Sequence, residues 1–417
     1  MRKISIPPFY KNILIMFRGT VVAQVIAIIG AVFIAKIYGA EAYGVFGVFI
    51  SIISIVSIIA TLQLEQCIVL SKNEKESINW FNFLLVLIPL LSLLISTLLF
   101  VISNNFYSDK LSLNFIILSF LGSLFLGFRV INENFFVFRK EFTLLSNSKI
   151  FLTLSNISFQ FLLYHYFNLN GLILGFLISQ CLLLLFYLFK NSSILSKINY
   201  KEIKKGLQQN KSIVKYLLPS TIINSLANNL MPILILTFFG AKEAGVYFFS
   251  LKILGTPLFL ISSSIANVFF QKSSELLKEN KTELFKLTKK IVRINLLVIL
   301  ACLVLINTLG ISILESVFDG KWNNLRSYSL ILSILILARS AFNPISNLIV
   351  VLGKNFQSLI FNIYLFIINL IAIYFGYLYN DIAITIFILA IFGGAGYLLL
   401  LAYFLNHLKF ISQKNVQ

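Results

Sequence analysis

Tyr38-Gly39-Ala40-Glu41-Ala42-Tyr43-Gly44-Val45-Phe46 and Phe239-Gly240-Ala241-Lys242-Glu243-Ala244-Gly245-Val246-Tyr247 are two copies of one turn, offset by 201 residues without a gap. Gly, Ala, Gly and Val fall in register, and both copies begin and end on an aromatic residue. Each copy separates two long apolar runs. Locally the glycines suit a tight turn, because glycine reaches backbone angles that other residues avoid. The recurrence says more than the turn does. Lys140-Glu141-Phe142 and Lys354-Asn355-Phe356 give a second echo at offset 214.

Outward from these turns, apolar runs fall at 13–37, 44–70, 80–102, 113–137, 143–167, 171–190, 213–238, 245–270, 291–316, 328–351, 357–379 and 382–405. Each is long enough for a helix of about 20 residues to cross a bilayer, which predicts twelve spans. Six spans return the chain to its starting side, so the repeat predicts two six-helix halves in the same orientation. Parallel repeats of this kind are a transporter architecture with the site between the halves. The expected division is 1–190 as the first bundle, 191–212 as a basic linker and 213–417 as the second bundle.

Composition agrees. Of 417 residues, 59% are hydrophobic and 12% charged, and the 42 Phe are spread along the whole length. A soluble domain is about one-quarter charged, so a soluble enzyme on a single tether is excluded and no sizeable soluble domain is expected. Cys67, Cys181 and Cys302 each stand alone in apolar sequence, without metal or disulfide spacing, and no cofactor is expected. Met1-Arg2-Lys3 leads into an apolar run with no small-residue cleavage site, so the first span is expected to be retained.

The net charge of +19 speaks for orientation and against nucleic-acid binding. With the N-terminus inside, 23 of the 34 Lys and Arg fall on inner segments. Outer loops hold only Lys110, Lys242, Lys321 and Arg326. By the positive-inside rule both termini are expected in the cytoplasm. The segment Lys190–Lys215 is expected as the linker there. Gln271–Lys290 alternates Lys and Glu around Leu276, Leu277, Leu284 and Leu287, which predicts a helix lying on the membrane surface.

The aromatic-Gly-Ala-x-x-x-Gly-Val-aromatic turn, Thr61-Leu62-Gln63-Leu64-Glu65-Gln66 and the basic stretch after the sixth run together resemble Wzx-type oligosaccharide flippases. These belong to the multidrug/oligosaccharidyl-lipid/polysaccharide superfamily, and the resemblance covers essentially the whole chain. It implies an all-α membrane protein with two six-helix bundles around a central cavity. The implied activity is export of an undecaprenyl-diphosphate-linked oligosaccharide for O-antigen or capsule, in the bacterial inner membrane beside other polysaccharide-assembly proteins. Peptidoglycan-lipid flippases of the superfamily usually carry two further C-terminal helices that are not seen here.

Seven cations fall inside the runs. Lys36 and Arg293 lie near run ends, where a long side chain reaches the interface. Arg18, Arg129, Lys149, Lys252 and Arg339 lie deeper. Five such charges facing lipid would cost roughly 12 to 18 kcal/mol at about 2.5 to 3.5 kcal/mol each, so they are expected to face protein or water. Glu65 and Glu133 are the comparable acids and the candidates for ion coupling; Arg129 and Glu133, four residues apart, make a pair that is structural or functional alike.

Polar residues share faces with these cations. Ser146, Lys149, Thr153, Asn156 and Gln160 recur at helical spacing, as do Lys252, Thr256, Ser263 and Asn267, then Arg339, Asn343 and Ser346, then Ser220, Asn224 and Asn228. Such stripes line a cavity or bond helix to helix. The excess of cations points to an anionic ligand, while amides and hydroxyls suit sugars.

Two other readings were weighed. A drug/cation antiporter of the same superfamily calls for acids rather than cations. A glycan polymerase or ligase calls for a large outer loop, whereas every outer loop here is short, and His165 and His407 have no catalytic partner nearby. Gly393-Gly394-Ala395-Gly396 lies inside an apolar run and reads as close helix packing rather than a nucleotide loop. The chain is therefore expected to be a transporter and not an enzyme.

Overall fold

The computed structural model describes the backbone of residues 8–106, 112–191, 196–211 and 213–413. Side chains are described within these ranges except at 8–17, 102–106, 264, 267, 268 and 271. Among the described residues every element is helical. Ten helical stretches are long and apolar enough to cross a membrane, so the protein is a multi-pass membrane protein. Twelve spans were expected. The difference lies in 18–61 and 142–191, of 44 and 50 residues, each of which holds two of the predicted runs. The chain divides into two compact units, Met1–Tyr38 with Val45–Asn229, and Gly39–Gly44 with Leu230–Gln417.

The first unit takes most of its helices from α1 (Pro8–Thr61), α2 (Glu65–Leu70), α3 (Glu74–Phe106), α4 (Leu113–Phe138), α5 (Phe142–Phe167) and α6 (Gly171–Asn191). α5 and α6 form a hairpin about a 3-10 turn at Asn168–Asn170. Gly175 lets them close up, since a Cβ there would lie 2.6 Å from the backbone nitrogen of Gln160. The second predicted run does not continue as one helix to residue 70. Leu62 and Gln63 take left-handed angles (φ 51° and 58°), and α2 turns back. The reason is burial. Leu64, Cys67 and Ile68 enter a core with Trp80, Phe81 and Phe135, where a straight helix would carry them away from it.

Within the segment expected as the linker, residues 196–209 are held against α3. Asn79 on α3 donates its amide to the carbonyl of Asn199 at 3.1 Å and accepts from the Asn199 N–H at 2.8 Å, pairing like a short strand. Asn82 donates to Ser196 at 3.1 Å. Helix α7 (Tyr200–Gln209) then lays Ile203 into the α3 core and Gly206 against Trp80. Its lysines stay exposed.

In the second unit the turn glycines adopt one geometry, with Gly39 at φ 78°, ψ 174° and Gly240 at φ 93°, ψ 173°. This region of backbone space is essentially reserved for glycine. Gly44 and Gly245 have a different task. A Cβ on Gly44 would meet the carbonyl of Ala241 and one on Gly245 the carbonyl of Ala40, so the two copies cross backbone to backbone, reciprocally. Small residues four apart permit such a crossing.

The second unit takes α8 (Leu218–Phe239) from Leu230 onward, and after the turn at Gly240 come α9 (Ala241–Glu279), α10 (Lys281–Leu305), α11 (Ile311–Phe318), α12 (Leu325–Phe342), α13 (Leu348–Val351), α14 (Asn355–Leu378), α15 (Ile382–Ile388) and α16 (Gly394–Gln413). The predicted surface helix at 271–290 is absent as such. α9 runs straight on to Glu279, Asn280 caps α10 through a bond from the Glu283 N–H, and the two make a hairpin. Leu276 and Leu284, expected to face lipid headgroups, are buried in it. A heptad-like leucine spacing serves a neighbouring helix as well as an interface, and here the neighbour takes it. At Gly396 a Cβ would meet the Tyr364 ring, so α16 packs closely on α14 there.

Candidate functional site

The deep cations fall in both units, and their surroundings differ. In the first unit, Lys149 on α5 is half-buried and donates to the hydroxyl of Thr20 on α1 at 3.2 Å. Two residues before Thr20, Arg18 is exposed. Gly19 between them brings α1 against Ser146, the start of the α5 polar stripe. Asn156, further along that stripe, has a buried side-chain oxygen with no hydrogen-bond partner among the described residues. Gln160, expected to line a cavity, is buried instead. Its amide holds the Leu172 carbonyl at 3.1 Å and its backbone carbonyl accepts from Tyr38 at 2.6 Å.

Arg129 and Glu133 do pair, at 3.5 Å, and Arg129 also reaches Gln180 on α6 at 3.4 Å. Residues 129, 132, 133 and 136 share one face of α4, and residues 180, 187 and 191 face them from α6. Asn191 donates to Asn132 at 2.9 Å along this seam. Tyr187 and Asn191 were missed in the sequence reading. Tyr187 is a lone polar group in an apolar run and Asn191 one polar residue among several just after it, and only the pairing of α4 with α6 gives them meaning. Asn224 and Asn228, on α8, are exposed, and the amide of Asn228 donates to the side chain of Asn224 at 2.8 Å.

Glu65 lies at the start of α2, outside the spanning stretches. It is buried at 6% exposure, with one carboxylate oxygen lacking a partner among the described residues. Burial raises its pKa above the ordinary carboxylate value, against the opposing pull of its own backbone N–H and the Thr61 hydroxyl. Nearby, burial foremost and the charge of Glu65 push the Cys67 thiol up to about 12, which makes it inert packing.

In the second unit, Lys252 on α9 donates to the hydroxyl of Tyr43 at 2.9 Å and lies 5.4 Å from its ring centre. Tyr43 is itself buried beside Phe249 and Trp322. The sequence offered Tyr43 only as part of the turn. Arg339, in the last turn of α12, is exposed, and Asn343 follows it half-buried in a 3-10 turn. The Asn267 side chain lies outside the described residues, as do both chain termini.

Ion pairs separate these cations into two groups. Arg129 has Glu133, whereas Arg18, Lys149, Lys252 and Arg339 have no carboxylate within 4.0 Å among the described residues. Hydroxyl partners orient Lys149 and Lys252 without neutralising them. Unpaired cations in spanning helices are candidates for receiving an anion.

Comparison with known proteins was made on this basis. The family description "Polysaccharide biosynthesis protein" matches residues 19–327. No curated protein sequence matches the chain. Among solved structures, the lipid II flippase MurJ in an inward closed conformation superposes with a TM-score of 0.76 at 14% identity, covering 96% of this chain and 91% of that one. An inward-facing multidrug-resistance MATE transporter of the MOP superfamily gives 0.68 at 15% identity, covering 93% and 96%. A MOP superfamily transporter from Pyrococcus furiosus gives 0.55 at 15%, covering 96% of each. At these identities the likeness establishes the fold, that of the MOP superfamily transporters.

Proposed function

Since the chain belongs to the polysaccharide biosynthesis protein family, we propose that it is a flippase that carries an undecaprenyl-diphosphate-linked oligosaccharide from the inner to the outer leaflet of a bacterial plasma membrane by alternating access. The observation that carries this reading is the set of spanning-helix cations without carboxylate partners, Lys149, Lys252 and Arg339. A diphosphate supplies the missing negative charge. The amides of Asn156 and Asn343 suit the sugar hydroxyls. A drug/cation antiporter has the opposite need, and of the two candidate acids Glu133 is paired with Arg129 while Glu65 lies outside the spanning stretches. No catalytic role is assigned to any residue, and both termini are placed in the cytoplasm.

Charge also gives direction. A diphosphate carries about two negative charges, each worth about 2.3 kcal/mol per 100 mV, so outward movement down an inside-negative potential of about 100 mV gains roughly 4 to 5 kcal/mol. The test is export in cells. Lys149→Ala and Arg339→Ala should abolish surface glycan and accumulate lipid-linked oligosaccharide on the inner leaflet while the protein still inserts. Lys36→Ala, at an exposed position near a helix end, should be mild. Wild-type glycan in all three variants refutes a cationic binding site.

A further inference from the structure

In the second unit a cavity of about 540 Å³ opens at the loop between α11 and α12. Trp322 and Leu325 are buried beneath it, while Asn323, Asn324 and Ser327 are exposed around it. Arg326 and Glu315 complete the lining as a two-point ion pair, with Arg326 Nε 3.0 Å from Glu315 Oε1 and a second guanidinium nitrogen 3.1 Å from the Ser312 hydroxyl. The guanidinium charge is thus already met. What remains on offer is a set of neutral amides and a hydroxyl.

A groove of about 310 Å³ adjoins this cavity. Leu300, Val304 and Asn307 of α10 and its continuation form one wall, and Leu330, Ser333 and Leu337 of α12 the other. Both sets recur at helical spacing, so the groove follows the helix axes. Leu330 lines the cavity and the groove alike, which joins a polar chamber to an apolar channel. In the groove wall, Asn307 sits in a π-helical turn, Ile306–Gly310, an irregularity often kept where function requires it. Its amide nitrogen donates to the Leu303 carbonyl at 2.9 Å and to Ser333 at 2.8 Å, but its oxygen is buried without a partner among the described residues. A buried acceptor left open is satisfied by a ligand or a water.

We propose that cavity and groove form one binding site for a glycosylated lipid, with sugar hydroxyls on the amides of the cavity and the first part of the hydrocarbon chain in the groove. A phospholipid suits it less well, because a phosphodiester seeks a free cation and Arg326 is already paired. The inference rests on the flippase reading for its side of the membrane. The α11–α12 loop lies on the outer side in that reading, so the site meets an uncharged glycolipid of the outer leaflet, not the diphosphate-linked unit, for which the paired Arg326 leaves no free charge.

The experiment uses the purified full chain in phosphatidylcholine nanodiscs and a farnesyl glucoside bearing a diazirine in its chain. Adducts should map to residues 300–337 and should be displaced by unlabelled farnesyl glucoside but not by phosphatidylglycerol. Ser333→Trp, which fills the groove, should lower labelling by about tenfold, the loss expected when roughly two methylenes lose their contact. Asn323→Ala, at an exposed position, should weaken it without touching the fold. Equal displacement by phosphatidylglycerol, adducts scattered over other helices, or full labelling of both variants overturns the site. Lys149→Ala should leave labelling unchanged. A wild-type protein labelled at 300–337 that exports nothing upholds this site and sinks the flippase reading, whereas one that exports without such labelling sinks this site alone.

Discussion

Alanine at Gly44 or Gly245 attacks the backbone crossing in the second unit. A Cβ on Gly44 meets the Ala241 carbonyl and comes within 2.8 Å of the Gly245 nitrogen; one on Gly245 meets the Ala40 carbonyl and comes within 2.9 Å of the Gly44 nitrogen. Every obstructing atom is backbone, so no side chain can rotate away. The nitrogen contact alone would require the segments to part by about 0.6 Å to reach 3.4 Å, and the closer carbonyl oxygen requires more; overpacking of this kind costs about 1 to 3 kcal/mol, here at the upper end. At about 2 to 4 °C per kcal/mol for a unit of this size, 3 kcal/mol lowers the melting midpoint by about 6 to 12 °C. One displacement relieves both clashes, so the double variant should lose little more than either single, a coupling of about 2 to 3 kcal/mol. Gly39→Ala and Gly240→Ala supply the contrast. Nothing lies within 4 Å of either added Cβ, and the cost is local backbone strain of about 1 to 3 kcal/mol each, which should add. Thermal unfolding of the purified protein reads all six variants. A Gly44→Ala protein that melts with the wild type, or a Gly44/Gly245 double that loses the full sum, refutes the crossing.

Three further outcomes are expected. Glu65 has a raised pKa in the folded protein, so the stability linked to its neutral form is complete below about pH 4.5 and is lost as pH rises through the raised value. Glu65→Gln should therefore raise the melting midpoint at pH 8 and leave it unchanged at pH 4, and a shift of equal size at both values rejects the assignment. A reporter fused at Lys204 should be active only in the cytoplasm, and periplasmic activity overturns the orientation together with the six-plus-six scheme. Export by the protein in vesicles should speed up under an inside-negative potential without an ion gradient, and dependence on a proton or sodium gradient alone replaces that mechanism with an ion-coupled one.

The fold was legible because its determinants are one-dimensional. Apolar length finds spanning helices, and the repeated turn at 38–46 and 239–247 needs only two glycines in register. What the sequence left ambiguous was where an apolar run stops spanning. The run 44–70 breaks at Leu62 and Gln63, residues with no turn signature, because Leu64, Cys67 and Ile68 find a core against α3 and α4. The leucines at 276 and 284 obey the surface-helix pattern and are nonetheless buried, because α10 folds back on α9. In both places a tertiary partner decided, and periodicity names a face without naming what covers it.

The site divides the same way. Counting charges inside apolar runs found the five deep cations, but pairing depends on which helix lies alongside. Arg129 finds Glu133 on its own helix, which spacing could suggest, while Lys252 finds Tyr43 at a separation of 209 residues, which it could not. The identity of that partner matters for chemistry. A carboxylate would have cancelled the ammonium and left a structural pair, whereas a phenol or an alcohol fixes its position and keeps its charge whole. Thr20 and Tyr43 therefore position Lys149 and Lys252 without a carboxylate to cancel them, which is what the proposed flippase reading requires of a cation that receives an anion.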